Sequence, residues 1–274
     1  MERFGRSWGL LKSCIAVLRE DKELLLFPVL SGLSSLLVLA TFALPLFITR
    51  AFSDGFGVFG AAVGFAFYFS QYLVIFYFNA ALVGAALKRL EGGNPTFSDG
   101  IGIANGNLAA ILGYAAIAAT VGMLLKSGRR RNGMLQSIVR SLAGMAWTLG
   151  TFLVVPVLVS RKIGPLDAIA ESARLLKKTW GENLIGTAGI WLGFGMISLL
   201  YVLVSIGLVI AVAKISGALA IGLGIVFGIG LLLIGIVKSA IGAIYTATLY
   251  RYATDGAAPE GFDTQQLSLA FAGR

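Results

Sequence analysis

The sequence contains no histidine and only one cysteine, Cys14, among its 274 residues. Without histidine there is no Ser-His-Asp triad and no histidine ligand for zinc or haem, and a single cysteine forms no intrachain disulfide. We interpret Cys14 as a small buried hydrophobe, and the alternative is a reactive or palmitoylated thiol. We therefore expect a protein with no cofactor, no metal and no enzymatic activity.

Charged residues are also scarce. They make up 13% of the chain and hydrophobic residues 57%, whereas about a quarter of the residues in soluble domains are charged. The apolar runs are continuous and long enough to cross a bilayer as helices, which takes about 20 residues. A transmembrane barrel would show alternating segments of about ten residues instead. These features predict an all-α integral membrane protein.

Six apolar runs predict six transmembrane helices in a single transmembrane domain, residues 1–252. The predicted spans cover about residues 24–48, 58–87, 108–125, 142–159, 184–212 and 215–250. The N-terminus lacks the apolar core and the cleavage site of a signal peptide, so we expect the first span to be retained. Residues 253–274 are predicted to form a loose, polar C-terminal tail.

Residues 165–181 lie between two apolar runs and are amphipathic, which is typical of a helix at the membrane surface. The apolar residues of this segment recur at helical spacing. They are Leu166, Ile169, Ala170, Ala173, Leu176 and Trp180. Weaker copies of the pattern occupy residues 4–20 and 96–106. We therefore predict three repeats, each an interfacial helix followed by a transmembrane hairpin.

The net charge of +9 must be concentrated in the loops and interfacial helices, which favours anionic lipid headgroups as partners. The candidate headgroup contacts are Arg174, Lys177, Lys178 and Trp180, with Trp180 at headgroup depth. We do not expect nucleic acid as a partner, because the cations are scattered in small groups without a folded basic module.

Lys238 is the one charged residue well inside an apolar run, and Asn79 is a strongly polar residue within the second span. A cation at the bilayer centre is costly, so Lys238 is a candidate functional residue. In the alternative interpretation Lys238 lies at the cytoplasmic interface and snorkels. Asn79 either hydrogen-bonds across a helix interface or contacts a ligand. The two residues form the candidate intramembrane polar site.

All thirteen acidic residues lie outside the predicted spans, which argues against proton-coupled transport. An enzyme acting on headgroups would need several interfacial carboxylates in one pocket. The carboxylates at suitable positions are Glu91, Asp99, Asp167, Glu171 and Glu182. We expect them instead to cap helices or to pair with nearby Arg and Lys side chains, such as Arg174.

Small residues four positions apart indicate close helix packing and an oligomer. These pairs are Gly60/Gly64, Gly189/Gly193, Ala218/Gly222 and Gly224/Gly228.

With six spans both termini lie on one side of the membrane. Of the 22 Lys and Arg residues, fourteen fall on that side and seven on the other, with Lys238 assigned to neither. The positive-inside rule then predicts a prokaryotic inner-membrane protein with both termini in the cytoplasm. The basic loop 126–140 places five cations on the other side and opposes this prediction.

Several short segments together resemble an uncharacterised prokaryotic family of six-span membrane proteins, known as a domain of unknown function. The segments are Glu20–Pro28, Phe78–Leu82, Arg89–Gly93, Ala118–Gly122, Thr151–Pro156 and Thr179–Asn183. The resemblance covers about residues 4–252. The plan of interfacial helix and hairpin is also distantly similar to the membrane domain that accompanies glycerophosphodiester phosphodiesterases. The resemblance implies a fold and supplies no catalytic residue.

The leading hypothesis is a non-enzymatic polytopic inner-membrane protein that acts as a lipid-associated, oligomeric scaffold or envelope factor. The alternative is a small-molecule or lipid transporter or channel with a pathway between the hairpins. A polar cavity that reaches Asn79 or Lys238 would favour the alternative.

Overall fold

The structure is a computed structural model that describes residues 2–48, 58–127, 134–180 and 188–256, together with 259 and 262. Within these ranges the chain forms helices only. They are α1 (Glu2–Glu20), a 3-10 helix (Lys22–Leu25), α2 (Leu26–Ile48), α3 (Val58–Leu90), α4 (Phe97–Gly106), α5 (Leu108–Ser127), α6 (Met134–Gly150), α7 (Val154–Arg161), α8 (Pro165–Trp180), α9 (Ala188–Ala213) and α10 (Gly217–Asp255). Six segments are long and apolar enough to cross a membrane, which confirms the predicted class and number of spans.

The segment predicted as the fourth span, residues 142–159, contains an interruption. Helix α6 ends at Gly150, residues 151–153 form a turn, and α7 begins at Val154. Pro156 has no N–H to donate to the carbonyl of Phe152 four residues earlier, so the helical hydrogen-bond ladder fails at this point. The backbone N–H of Leu153 donates instead to the hydroxyl of Ser172 on α8, at 3.0 Å.

Consecutive spans contact each other in two of the three predicted pairs, and the arrangement as three hairpins stays a prediction. Helix α2 packs along α3, and α9 packs along α10. The main contacts of α5 are with α3, and those of α6 are with α8, so the predicted hairpin of the third and fourth spans is not confirmed.

The buried core lies toward one end of the bundle. On α3 the buried residues cluster from Ala80 to Leu90, and on α10 from Ala240 to Ala253. Leu24 of the 3-10 helix and Phe27 at the start of α2 pack into the same core. In the other direction the helices expose apolar side chains, such as Leu219 and Leu232, which are 63% and 64% exposed. We call residues 217–239 of α10 its outer segment, in which only Ala220 is buried.

Helix α8 packs on the protein through a different face from the predicted apolar one. Its buried residues are Ala168, Ser172, Leu175 and Leu176, whereas Leu166 is 69% exposed. Ala170 and Ala173 are also exposed, and the two faces are about a third of a turn apart. Part of the predicted apolar face, with Leu166, Ala170 and Ala173, therefore points away from the bundle, whereas Leu176 of the same face is buried. Contact of the exposed part with a membrane surface stays a prediction.

Close glycine contacts occur at positions that lie outside the predicted small-residue pairs, and Gly60, Gly189 and Gly193 of those pairs lie outside the described glycine contacts. A Cβ atom at Gly100 would lie 2.8 Å from the carbonyl oxygen of Ala81, where α4 crosses α3. At Gly230 it would lie 2.0 Å from the hydroxyl of Tyr201, in the contact between α9 and α10. Gly224 and Gly228 have no such neighbour within 4 Å. Tight packing within the chain therefore uses single glycines that the spacing rule did not select.

Three described residues of the predicted loose tail are buried: Ala253, Pro259 and Phe262. Helix α10 ends at Asp255 and is capped by Gly256, whose φ of 71° lies in the left-handed region. Phe262 is buried and belongs to the core cluster, so the chain returns to the protein after α10.

Candidate functional site

A polar cleft of about 420 Å³ lies where α3, the interruption between α6 and α7, and α10 meet. It is lined by Asn79, Phe152, Gly235, Lys238, Ser239, Gly242, Ala243 and Thr246. Six of these residues belong to α10, and their spacing of three or four places them on one face of the helix. The cleft therefore brings together Asn79 and Lys238, the two residues of the predicted intramembrane site.

The cleft lies at the level where the exposed parts of two helices end. Asn79 directly precedes the buried segment of α3, and Ser239 directly precedes that of α10. Two helices thus change from exposed to buried at the same height. Polar side chains are concentrated at this boundary.

The lining combines hydrogen-bonding groups with one positive charge. The Asn79 amide can both donate and accept, and Ser239 offers a hydroxyl. The Thr246 hydroxyl donates to the carbonyl of Ala243 at 2.9 Å, which leaves its oxygen able to accept. Among the lining residues Lys238 is the one ionisable group, so the cleft suits a polar or anionic group.

The interruption of the fourth span contributes directly to the cleft through Phe152. Non-helical backbone at membrane depth is tolerated where it is buried in protein or lines a cavity. Leu153 is buried and its N–H is satisfied by Ser172, which is also buried. Discontinuous helices of this kind form binding sites in transporters.

The predicted headgroup contacts on α8 form a separate, exposed group. The Arg174 guanidinium donates to Glu171 at 2.7 and 2.8 Å, and Arg161 donates to the same carboxylate at 2.5 Å. The hydrogen bonds from Arg174 hold the pKa of Glu171 below its usual value. Lys177 and Lys178 are exposed. The side chain of Trp180 lies outside the described part of the structure.

Three of the carboxylates that a headgroup enzyme would need, Glu91, Asp99 and Glu171, pair with separate cations. Asp99 lies 2.9 Å from the Lys88 ammonium, and Glu91 accepts from Arg251 at 2.5 Å. Glu182 lies outside the described residues. Within the described residues there is no group of three or more side chains that could hold a metal ion.

A second charged cluster ties the α1–α2 connection to the end of α3. Arg89 lies 3.1 Å from the buried carboxylate of Asp21 and also pairs with Glu20. Burial raises the pKa of Asp21, while the Arg89 charge opposes this shift. These ion pairs hold the core end of the bundle together.

Sequence reasoning missed part of the cleft. Ser239 and Thr246 share the face of Lys238, and two glycines on that face leave room beside them. The helical spacing of residues 235, 238, 239, 242 and 246 places them on one face, but the many other glycines of the span make this pattern hard to recognise in the sequence. Gln71 on α3 was also missed, and its Oε1 atom is buried with no hydrogen-bond partner among the described residues.

Residues 58–261 match a family of unknown function, DUF6159. The chain belongs to this family. The DUF6159 match includes every residue that lines the cleft. It begins at residue 58, so it does not include the N-terminal part of the resemblance expected from the sequence.

The searches of curated proteins and of solved structures gave no match. The expected similarity to the membrane domain of glycerophosphodiester phosphodiesterases has no support in the comparisons. Membership of DUF6159 therefore assigns no activity to the chain.

Proposed function

We propose that this protein is a non-enzymatic membrane transporter or channel whose ligand binds in the polar cleft. The observation that carries the proposal is the cleft itself, because Asn79 and Lys238, far apart in sequence, line one space of about 420 Å³. The interrupted fourth span supports the same function, because it brings a discontinuous helix to one wall of the cleft through Phe152.

For its location we propose a prokaryotic inner membrane with both termini in the cytoplasm. The excess of cations on the terminal side supports this orientation. Single cysteines can test it in a Cys14→Ser background. Ser98→Cys, exposed on α4, would mark the terminal side, and Ala213→Cys, exposed at the end of α9, would mark the other side. Labelling of position 98 from outside intact cells would invert the orientation.

The transport proposal is tested by access to the cleft from both sides of the membrane. In Cys14→Ser, the additional substitution Ser239→Cys places a thiol in the lining. In oriented vesicles we expect an impermeant methanethiosulfonate reagent to label position 239 from either side. Val226→Cys is the matched control, because Val226 is 62% exposed on the apolar outer segment and should not be labelled. Labelling of position 239 from one side only, or from neither, would contradict transport.

The second candidate function is the predicted oligomeric scaffold. The observation in its favour is that Gly224 and Gly228 lie on α10 with no neighbour within 4 Å of an added Cβ, so a second helix can approach there. Light scattering of the purified protein in detergent tests this function. A mass above one chain that falls to one chain in Gly224→Leu would support the scaffold, and a monomeric wild type would contradict it.

A further inference from the structure

We propose that the cleft binds the anionic headgroup of a membrane lipid. The inference rests on the proposed function for its site, and it adds the chemical class of the ligand. Three features of the cleft support the inference: its depth in the membrane, the charge of its lining and its shape.

The depth of the cleft matches a headgroup layer. Residues 217–237 of α10 form a helix about 32 Å long at 1.5 Å per residue. Residues 58–78 of α3 have the same length. The apolar side chains of residues 217–237 are mostly exposed, and those of residues 59–78 are exposed or half-buried. The hydrocarbon core of a bilayer is about 30 Å thick. If these segments fill the hydrocarbon core, Lys238 and Asn79, which directly follow them, lie together where the headgroups of one leaflet begin.

The charge of the cleft selects an anion. Its lining contains one cation, Lys238, and no carboxylate. A phosphate group in the cleft would therefore meet one positive charge and the donors of Asn79 and Ser239 without a like charge in the lining.

The shape of the cleft allows a lipid to enter from the side. A Cβ atom built on Gly235 meets nothing within 4 Å. Just beyond Gly235, Leu231 and Leu232 are 41% and 64% exposed and offer an apolar surface for acyl chains. A headgroup in the cleft with its chains along the outer segment of α10 satisfies both the polar and the apolar surfaces.

Lipid retention by the purified full-length protein tests this inference. The protein in a non-ionic detergent is incubated with phosphatidylglycerol or with phosphatidylcholine of the same acyl chains, and bound lipid is counted by native mass spectrometry. We expect preferential retention of phosphatidylglycerol. Lys238→Gln should weaken this retention about tenfold, because a hydrogen bond to a charged group is lost. Gly235→Leu should also weaken it, because the new side chain fills the cleft.

Two matched controls separate the cleft from general effects. Lys214→Gln removes one exposed positive charge at the opposite end of α10, and Gly222→Leu adds the same side chain to an open position on another face. Both should bind phosphatidylglycerol as the wild type does. Equal retention by wild type, Lys238→Gln and Gly235→Leu would overturn the inference, even if all variants fold normally by size-exclusion chromatography.

Competition experiments distinguish a lipid headgroup from a free anion as the ligand of the cleft. If the cleft takes a free anion, inorganic phosphate at millimolar concentration should displace phosphatidylglycerol and would overturn the lipid as ligand. If the exposed cations of α8 hold the lipid, Lys177→Gln with Lys178→Gln should abolish retention while Lys238→Gln does not, which would also overturn the inference.

The two experiments together distinguish failure of the transport proposal from failure of the ligand. One-sided labelling of position 239 with Lys238-dependent retention of lipid would contradict transport alone. Two-sided labelling without that dependence would contradict the ligand alone.

Discussion

The hydroxyl of Ser172 accepts a hydrogen bond from the backbone N–H of Leu153 at 3.0 Å, and both residues are fully buried. This bond joins the amphipathic helix α8 to the interruption of the fourth span, one residue from Phe152 in the cleft. An amphipathic helix at the protein surface is thus connected to the wall of the candidate site by a single polar contact.

Ser172→Ala removes the acceptor of that N–H and leaves a buried donor unsatisfied. We expect a loss of about 1–3 kcal/mol in stability. Unfolding by sodium dodecyl sulfate, followed by circular dichroism, measures it. Ser160→Ala on α7 is the control, because Ser160 is exposed and should change stability little. Equal stability of the two variants would show that the bond does not hold the interruption.

Gly100→Ala should destabilise the protein because the new methyl group would lie 2.8 Å from the backbone oxygen of Ala81. Overpacking of this kind costs about 1–3 kcal/mol. Gly102→Ala, on the same helix, meets nothing within 4 Å and should be neutral or stabilising, since alanine favours helix. Thermal unfolding in detergent compares the two. A lower midpoint for Gly102→Ala than for Gly100→Ala would contradict the helix crossing described above.

Cys14 should be unreactive in the folded protein. It is 1% exposed on α1, and burial raises the pKa of its thiol to about 12. Because the thiolate is the reactive form, maleimide labelling at pH 8 should be negligible before denaturation and complete after it. Rapid labelling of the native protein would show that α1 does not pack as described.

Asp99 should make a pH-dependent contribution to stability. Hydrogen bonds from the Thr96 backbone and from Lys88 lower its pKa from 3.8 to about 2. For a carboxyl group with a lowered pKa in the folded state, the stabilisation is present above about pH 4 and is lost as the pH falls toward 2. The difference in unfolding midpoint between wild type and Asp99→Asn should therefore be constant from pH 5 to 7 and shrink below about pH 4. A difference in unfolding midpoint that grows as the pH falls would contradict a lowered pKa of Asp99 in the folded protein.

The sequence was sufficient for the class and number of spans, because a run of apolar residues long enough to cross a bilayer is a local property. It was also sufficient to select Asn79 and Lys238, since polar groups inside apolar runs are rare. That these two residues share one cleft depends on how α3 packs against α10, which no local pattern encodes. The same limit explains α8, where local periodicity found an apolar face but not the face through Ser172 that contacts the protein.

The interruption after Gly150 could be predicted in part from the sequence, because Pro156 has no backbone N–H and so removes one helical hydrogen bond in any environment. A proline can nevertheless be accommodated in a continuous transmembrane helix when neighbouring groups replace the lost bond. Here the hydroxyl of Ser172, nineteen residues beyond Leu153, accepts the hydrogen bond from the Leu153 N–H at the interruption. The choice between a bent and a broken helix was therefore made by a distant residue.

The apolar outer segment of α10 sets a preferred membrane thickness. The part of this segment before Lys238, residues 217–237, is about 32 Å long, which is close to the thickness of an ordinary hydrocarbon core. In a bilayer with longer acyl chains, hydrophobic mismatch would draw Lys238 and Asn79 into hydrocarbon unless the lipids around them thinned. In a thinner bilayer the helix could tilt and keep both residues at the surface. The protein should therefore tolerate short-chain lipids better than long-chain ones, and acyl-chain length becomes a variable that acts directly on the polar cleft.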